Sequence, residues 1–160
     1  QDWSVLTDKI RKGKPLTTKK NMNYDILLEQ LKDFEGLELK AYQCTAGKTT
    51  IGLGRNLDDY GITEEEAYYL AKNNIYELED ELDRAISWWR QLDDARQRAL
   101  INLAYNVGTT TLLKFKKTLQ YLEDGSYEEA AKEVLDSRWA DQVGRRAIFI
   151  SNVFLTGEEE

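Results

Sequence analysis

The stretch FEGLELKAYQCTAGKTTIGLGRNLDD, residues 34–59, decides how this chain is read. It holds the one cysteine, Cys44, which follows Glu35 and precedes Thr50. Ahead of it Ile26, Leu27, Leu28, Leu31 and Phe34 recur with helical period, and Gly36 is the residue type that ends helices. Glu35 is therefore expected on the last turn of a helix. Over 39–54 the pattern turns to β: Tyr42, Thr49, Thr50 and Ile51 flank a turn around Gly47, and the Gly-spaced IGLG follows. A loop with an odd number of residues, centred on Gly47 at positive φ, sets Cys44 directly opposite Thr50. Opposed side chains share a face with Cβ atoms about 5 Å apart. An even loop puts them on opposite faces.

Each of the three residues has a plain reading. Free cysteines are among the most buried residue types, so Cys44 alone reads as a small core hydrophobe. Glu35 alone reads as a solvated helix-end charge, and Thr50 alone as a strand former. Together they suit hydrolysis of a glycosidic bond. That reaction needs one protonated carboxyl to donate to the leaving oxygen and a second group to activate water or attack carbon. An apolar setting at the helix end would raise the pKa of Glu35 toward what a general acid needs. Cys44 takes the second role if a positive neighbour lowers its pKa. The Thr50 hydroxyl holds a water or the sugar.

Composition limits the alternatives. The 160 residues suffice for one domain with a real core, and 32% charged against 41% hydrophobic residues read as soluble and globular. No apolar run approaches the ~20 residues of a membrane span, and no signal-peptide pattern opens the chain. One Cys forbids an internal disulfide and argues against a thiolate zinc site. With no His, acid–base chemistry falls to carboxylates, the thiol, Lys or Tyr. A net charge of −7 argues against nucleic acid as partner and against steering onto any anionic polymer.

Residues 1–21 form a distinct N-terminal extension of unread role. Trp3, Leu6 and Ile10 sit at helical spacing ahead of Gly13 and Pro15, and Met22 reads as an older start. Beyond Tyr60 the pattern is helical to the end. Thr63 and Glu66 form a capping box for a helix with Ala67, Leu70, Ala71, Asn74 and Leu78 on one side. Asp93 or Asp94 opens another helix, with Leu100, Ile101, Leu103 and Ala104 inward and Gly108 as cap. Shorter helices are expected over 111–123, 126–136 and 144–154. The fold expected is α+β and mostly α: a small β-hairpin front lobe (22–62), a larger helical lobe (63–160) and a cleft between them, where ligands usually bind.

Quoted in order, Glu35-Gly36-Leu37, Lys40-Ala41-Tyr42, Cys44-Thr45, Gly47 and Thr50-Ile51-Gly52-Leu53-Gly54 resemble the catalytic region of the phage-type lysozymes. This is the T-even phage lysozyme and endolysin family, glycoside hydrolase family 24. ALINLAYNVG (99–108), FKKTLQYL (115–122), YEEAAKEVLDSRWADQVGRRA (127–147) and FLTG (154–157) extend the resemblance over residues 24–157. It implies a lysozyme-like fold and a muramidase with no metal or cofactor. Such an enzyme cuts the β-1,4 bond between N-acetylmuramic acid and N-acetylglucosamine of bacterial peptidoglycan. Glu35 resembles the general acid, Cys44 stands where the aspartate (in some members a cysteine) stands, and Thr50 is the third catalytic residue. Arg146 matches an arginine that pairs with the glutamate, favouring its ionised form. Asn56, Tyr105, Thr118 and Glu133 match cleft-wall positions that meet the sugar chain.

Tyr105 has its own case, since an aromatic plane suits a sugar face; its alternative is a core aromatic, which is how Trp139 is read. Arg55 stands where many members have His, and Glu133 where a neutral residue is usual. The acidic balance departs from the basic character common in wall-degrading lysozymes. The resemblance further implies a monomer made in the host cytoplasm that acts on the cell wall, released with help and without stable membrane insertion. A catalytically silent peptidoglycan-binding module and a lytic transglycosylase are the competing readings. Retention of Glu35 and Thr50 speaks against the first, and a retained second catalytic position against the other.

Overall fold

The computed structural model describes residues 21–159. The expected N-terminal helix of Trp3, Leu6 and Ile10 lies outside them. The chain divides after Thr63 into two compact units.

The front unit begins with α1, Tyr24–Glu35, capped by Asn23, whose side chain accepts from the Ile26 amide at 3.1 Å. Gly36 stops it, donating its N–H to Lys32 O at 2.9 Å, so Glu35 is the last helical residue, as the sequence suggests. The chain then forms an antiparallel sheet in the order β1 (Glu38–Gln43), β2 (Thr49–Gly52), β3 (Arg55–Asn56). Tyr42 pairs with Thr50 and Gln43 with Thr49, and a bulge interrupts β1 between Glu38 and Tyr42. β3 pairs Asn56 with Thr50 and Arg55 with Ile51, then gives way at once to a single helical turn, α2, Leu57–Tyr60.

The hairpin corrects one expectation. Its loop is odd and Gly47 has φ 76°, but the glycine is the last residue of the loop, not its centre. Gly47 N donates to Cys44 O at 2.8 Å and Cys44 N to Lys48 O at 2.9 Å. This is a turn finished by one left-handed residue, a common three-residue hairpin closure. The register moves by two, so Cys44 faces Lys48, and Thr50 is its diagonal neighbour. A shift of two preserves the face, so Cys44 and Thr50 remain on the same side of the sheet.

The helical unit comprises α3 (Glu64–Ala85), a 3-10 turn (Trp89–Gln91), α4 (Asp94–Val107), α5 (Thr109–Leu112), α6 (Lys116–Glu123), α7 (Tyr127–Leu135), α8 (Arg138–Val143) and α9 (Arg145–Thr156). Asp93 caps α4, accepting from Arg96 N at 3.2 Å. Leu100, Leu103 and Ala104 of α4 are wholly buried, joined by Leu82 of α3, Leu112 of α5, Val134 of α7 and Ile150 and Phe154 of α9. Where α9 meets α7, Ser151 Oγ donates to Ala131 O at 3.0 Å, so the buried hydroxyl is satisfied.

Three expectations change in this unit. Only Leu78 and Leu82 of α3 are buried; Leu70, expected on the inward face, is exposed. The helix expected over 111–123 is two, because the chain leaves helical geometry at Phe115, whose ring packs edge-on against Trp139 with centroids 6.2 Å apart. α8 was not foreseen. Ser137 caps it, accepting from Ala140 N at 3.1 Å, and Gly144 at φ 56° separates it from α9. Trp139 is buried, as read, with its indole N–H donated to Asn106 Oδ1 at 2.6 Å.

Candidate functional site

In the front unit, Glu35 ends α1 and is exposed, so the apolar setting expected for it is not present. What the unit supplies is a fixed floor, Gly54. A Cβ built on Gly54 would lie 2.8 Å from Glu35 Oε2, 3.1 Å from its Cδ and 3.2 Å from its Cβ. Gly54 also has φ 80°, in the left-handed region where a Cβ clashes with the backbone. The second glycine of IGLG is thus required twice, by its own backbone and by the carboxyl lying on it. Gly54→Ala is expected to displace the Glu35 carboxyl and cost about 1–2 kcal/mol of stability in the strained backbone. If Glu35 is the general acid that the family resemblance implies, a displacement of an ångström costs about 10²-fold in rate, so turnover should fall far more than denaturant stability. Measuring both on one preparation separates the effects.

Cys44 and Thr50 share a face of the hairpin. Cys44 is half-buried and Thr50 buried, with its hydroxyl donated to Lys48 O at 2.9 Å. The thiol is held below its ordinary value chiefly by the backbone N–H of Lys48, then by that of Ala46. Partial burial pushes the other way, and the Thr50 hydroxyl adds a further lowering contribution. The Thr50 hydroxyl thus sits between the Lys48 carbonyl, to which it donates, and the sulfur. The sequence reading looked for a positive neighbour; the Lys48 ammonium is one, coupled to the thiol by charge, but backbone amides make the larger contributions.

Lys48 joins these contacts. Its ammonium lies 3.1 Å from Asp59 Oδ1, whose hydrogen bond holds it charged above its ordinary range. Asp58 Oδ2 accepts from Thr49 N at 2.8 Å. Asn56, expected to meet sugar, caps α2: its Oδ1 accepts from Asp59 N at 3.0 Å and its Nδ2 donates to Asp59 Oδ2 at 2.9 Å. Arg55 donates Nε to Gly61 O at 3.0 Å. Asp58, Asp59 and Lys48 were not singled out from sequence. The available signal was Asn56 followed by two acidic residues, the pattern of a helix start.

In the helical unit, Thr118 and Glu133 come together in one open groove of about 660 Å³, with Phe115, Ser137, Arg138 and Trp139. Glu133 lies 3.9 Å from Lys117 Nζ. Tyr105 is 44% exposed, which excludes the core reading. It lines a second open groove, of about 700 Å³, with Asn74, Glu77, Glu81 and Thr109; Thr109 donates its hydroxyl to Glu81. Arg146 is half-buried and gives Nε to Asn102 Oδ1 at 2.8 Å and Nη2 to Asn102 O at 3.2 Å. These bonds fix the guanidinium plane on α4.

Residues 32–149 match the phage lysozyme family. The chain is 29% identical to a probable T4-type lysozyme 2 of Dictyostelium discoideum, over 82% of this chain and 94% of that one. It is 34% identical to an endolysin of Bacillus phage B103, over 81% of this chain and 52% of the relative. It is 28% identical to the pre-baseplate central spike protein Gp5 of Enterobacteria phage T4, over 84% of this chain but only 28% of the spike protein. The chain therefore spans about a quarter and about half of the two phage relatives' lengths. Since the match runs unbroken from the end of α1, through the hairpin of Cys44 and Thr50, into α9, this chain belongs to the phage lysozyme family.

Proposed function

We propose that this chain is a muramidase that hydrolyses the β-1,4 bond between N-acetylmuramic acid and N-acetylglucosamine of bacterial peptidoglycan. The observation that carries this is the hairpin. A half-buried thiol with a lowered pKa lies on one face with a buried threonine hydroxyl, in a family of lysozymes. Glu35 gives its proton to the glycosidic oxygen as the C1–O bond breaks. The Cys44 thiolate takes a proton from a water whose oxygen bonds to C1 on the opposite face, so the product is inverted. Thr50 orients that water. Arg146 is assigned as charge partner of Glu35. Tyr105, Thr118 and Glu133 are assigned to the glycan, with Asn56 contributing through the loop it caps. No residue in this scheme calls for a metal or organic cofactor.

The substrate places the site of action at the cell wall. No helix among the described residues is long and apolar enough to cross a membrane. A monomer with no nucleic-acid partner fits the acidic balance. The test is the mass of the soluble fragments released from purified peptidoglycan. Hydrolysis adds one water and leaves a reducing muramic acid end. Anhydro ends would mark a transglycosylase instead, and binding to peptidoglycan without release would mark a silent module.

A further inference from the structure

Cys44 and Thr50 converge on one peptide group, the planar unit joining Lys48 to Thr49. Its carbonyl accepts from Cys44 N at 2.9 Å and from Thr50 Oγ at 2.9 Å. The N–H of that same plane points the other way and donates to Asp58 Oδ2 at 2.8 Å. A peptide unit is rigid, so whatever fixes its N–H also fixes its C=O. We propose that Asp58 is the positioning residue of this site, orienting the Lys48–Thr49 peptide so that its carbonyl seats Cys44 and Thr50 together. This rests on the reading of Cys44 and Thr50 as the working pair.

Topology shows why the brace is needed. β2 is the central strand, but β3 pairs only with Thr50 and Ile51. At Thr49 the chain has already turned into α2, and a strand N–H with no ladder partner is left facing that turn. The Asp58 carboxylate takes the place of the missing strand carbonyl. A charged acceptor makes the stronger bond, and bonds in series through one peptide polarise each other, which sharpens the carbonyl on the far side. Asp59, one residue on, holds the Lys48 side chain at 3.1 Å, so both the ends and the plane of this segment are tied to α2. The backbone N–H of Lys48, the largest influence on the thiol, belongs to the segment so held.

Because the chain has one cysteine, alkylation by iodoacetamide reports Cys44 alone, whether or not the protein hydrolyses anything. In Asp58→Ala the pH midpoint of alkylation should rise by about half a unit, a roughly threefold slower reaction near neutrality. Release of muropeptides should fall about tenfold in kcat with KM little changed. Asp58→Asn keeps an acceptor for Thr49 N–H without the charge and should recover most of both. In the wild type, the Thr49 and Cys44 amide resonances should shift together on acidification, and the Thr49 amide should be protected from exchange. A folded Asp58→Ala with wild-type alkylation and kcat overturns the proposal, as does equal loss in Ala and Asn. If Asp58→Ala does not fold, an unprotected Thr49 amide in the wild type overturns it. Failure of wild type to release muropeptides would sink the hydrolase reading and leave the alkylation and exchange results to judge Asp58.

Discussion

Glu35→Gln should abolish clearing of a peptidoglycan suspension while leaving the protein folded. The amide is nearly isosteric with the carboxyl, and the side chain is exposed at the end of α1, where a polar exchange changes stability by about 0.5 kcal/mol or less. It occupies the same place over Gly54, so no new clash arises. What it lacks is an acidic proton. The leaving glycosidic oxygen departs poorly as an alkoxide, and general acid catalysis contributes about 10²–10⁴-fold. The chain has no His to take over the proton transfer. Retention of more than a tenth of wild-type clearing, with an unchanged thermal midpoint, would remove Glu35 from the role of acid. Loss of clearing together with loss of fold would be uninformative, so the melting curve belongs to the measurement.

The legible parts of this site are those fixed by local chain geometry. Gly36 stops α1, and that alone seats Glu35 at a helix end. Gly47 must have positive φ, and that alone turns the hairpin. The error of two in register came from placing the left-handed residue at the loop's centre when it closes the loop. Side-chain alternation concealed it, because Cys44 and Thr50 keep a common face under any even shift. The donors around sulfur were less legible, since they are backbone N–H groups of Ala46 and Lys48 and have no residue-type signature. Asp58 is harder still. Its role exists only because β3 ends one residue early, a fact of strand length that no periodicity carries. In the helical unit, Ser137 announced α8 as plainly as Asp93 announced α4. The expected end of α7 at 136 and the Gly144 start left too short a gap for a helix to be sought there.

Cys44 offers the sharpest test, because its serine and aspartate variants should part in opposite directions from wild type. If the thiolate is the base, Cys44→Ser should lose about 10²-fold or more, since an alcohol at that position is not ionised in the working range. Cys44→Asp should clear. Its profile should differ from wild type in a definite direction. The active form needs the acid protonated and the base ionised. In wild type the base is a thiol that backbone N–H groups hold below its ordinary value. A thiol ionises at higher pH than a carboxyl does, so on acidification wild type loses its base early. With aspartate both groups are carboxyls. An aspartate at 44 stays ionised further into acid, so the acid limb of the profile moves down. Wild type should therefore be the weaker enzyme in acid. Alkylation should silence wild type and spare Cys44→Asp. If Cys44→Ser clears as well as wild type and the alkylated protein still lyses, the thiol is a bystander and Glu35 works alone. If wild type is inert and Cys44→Asp clears, the hairpin holds a lysozyme whose base has been removed, and the lowered thiol pKa is a trace of donors built for a carboxylate.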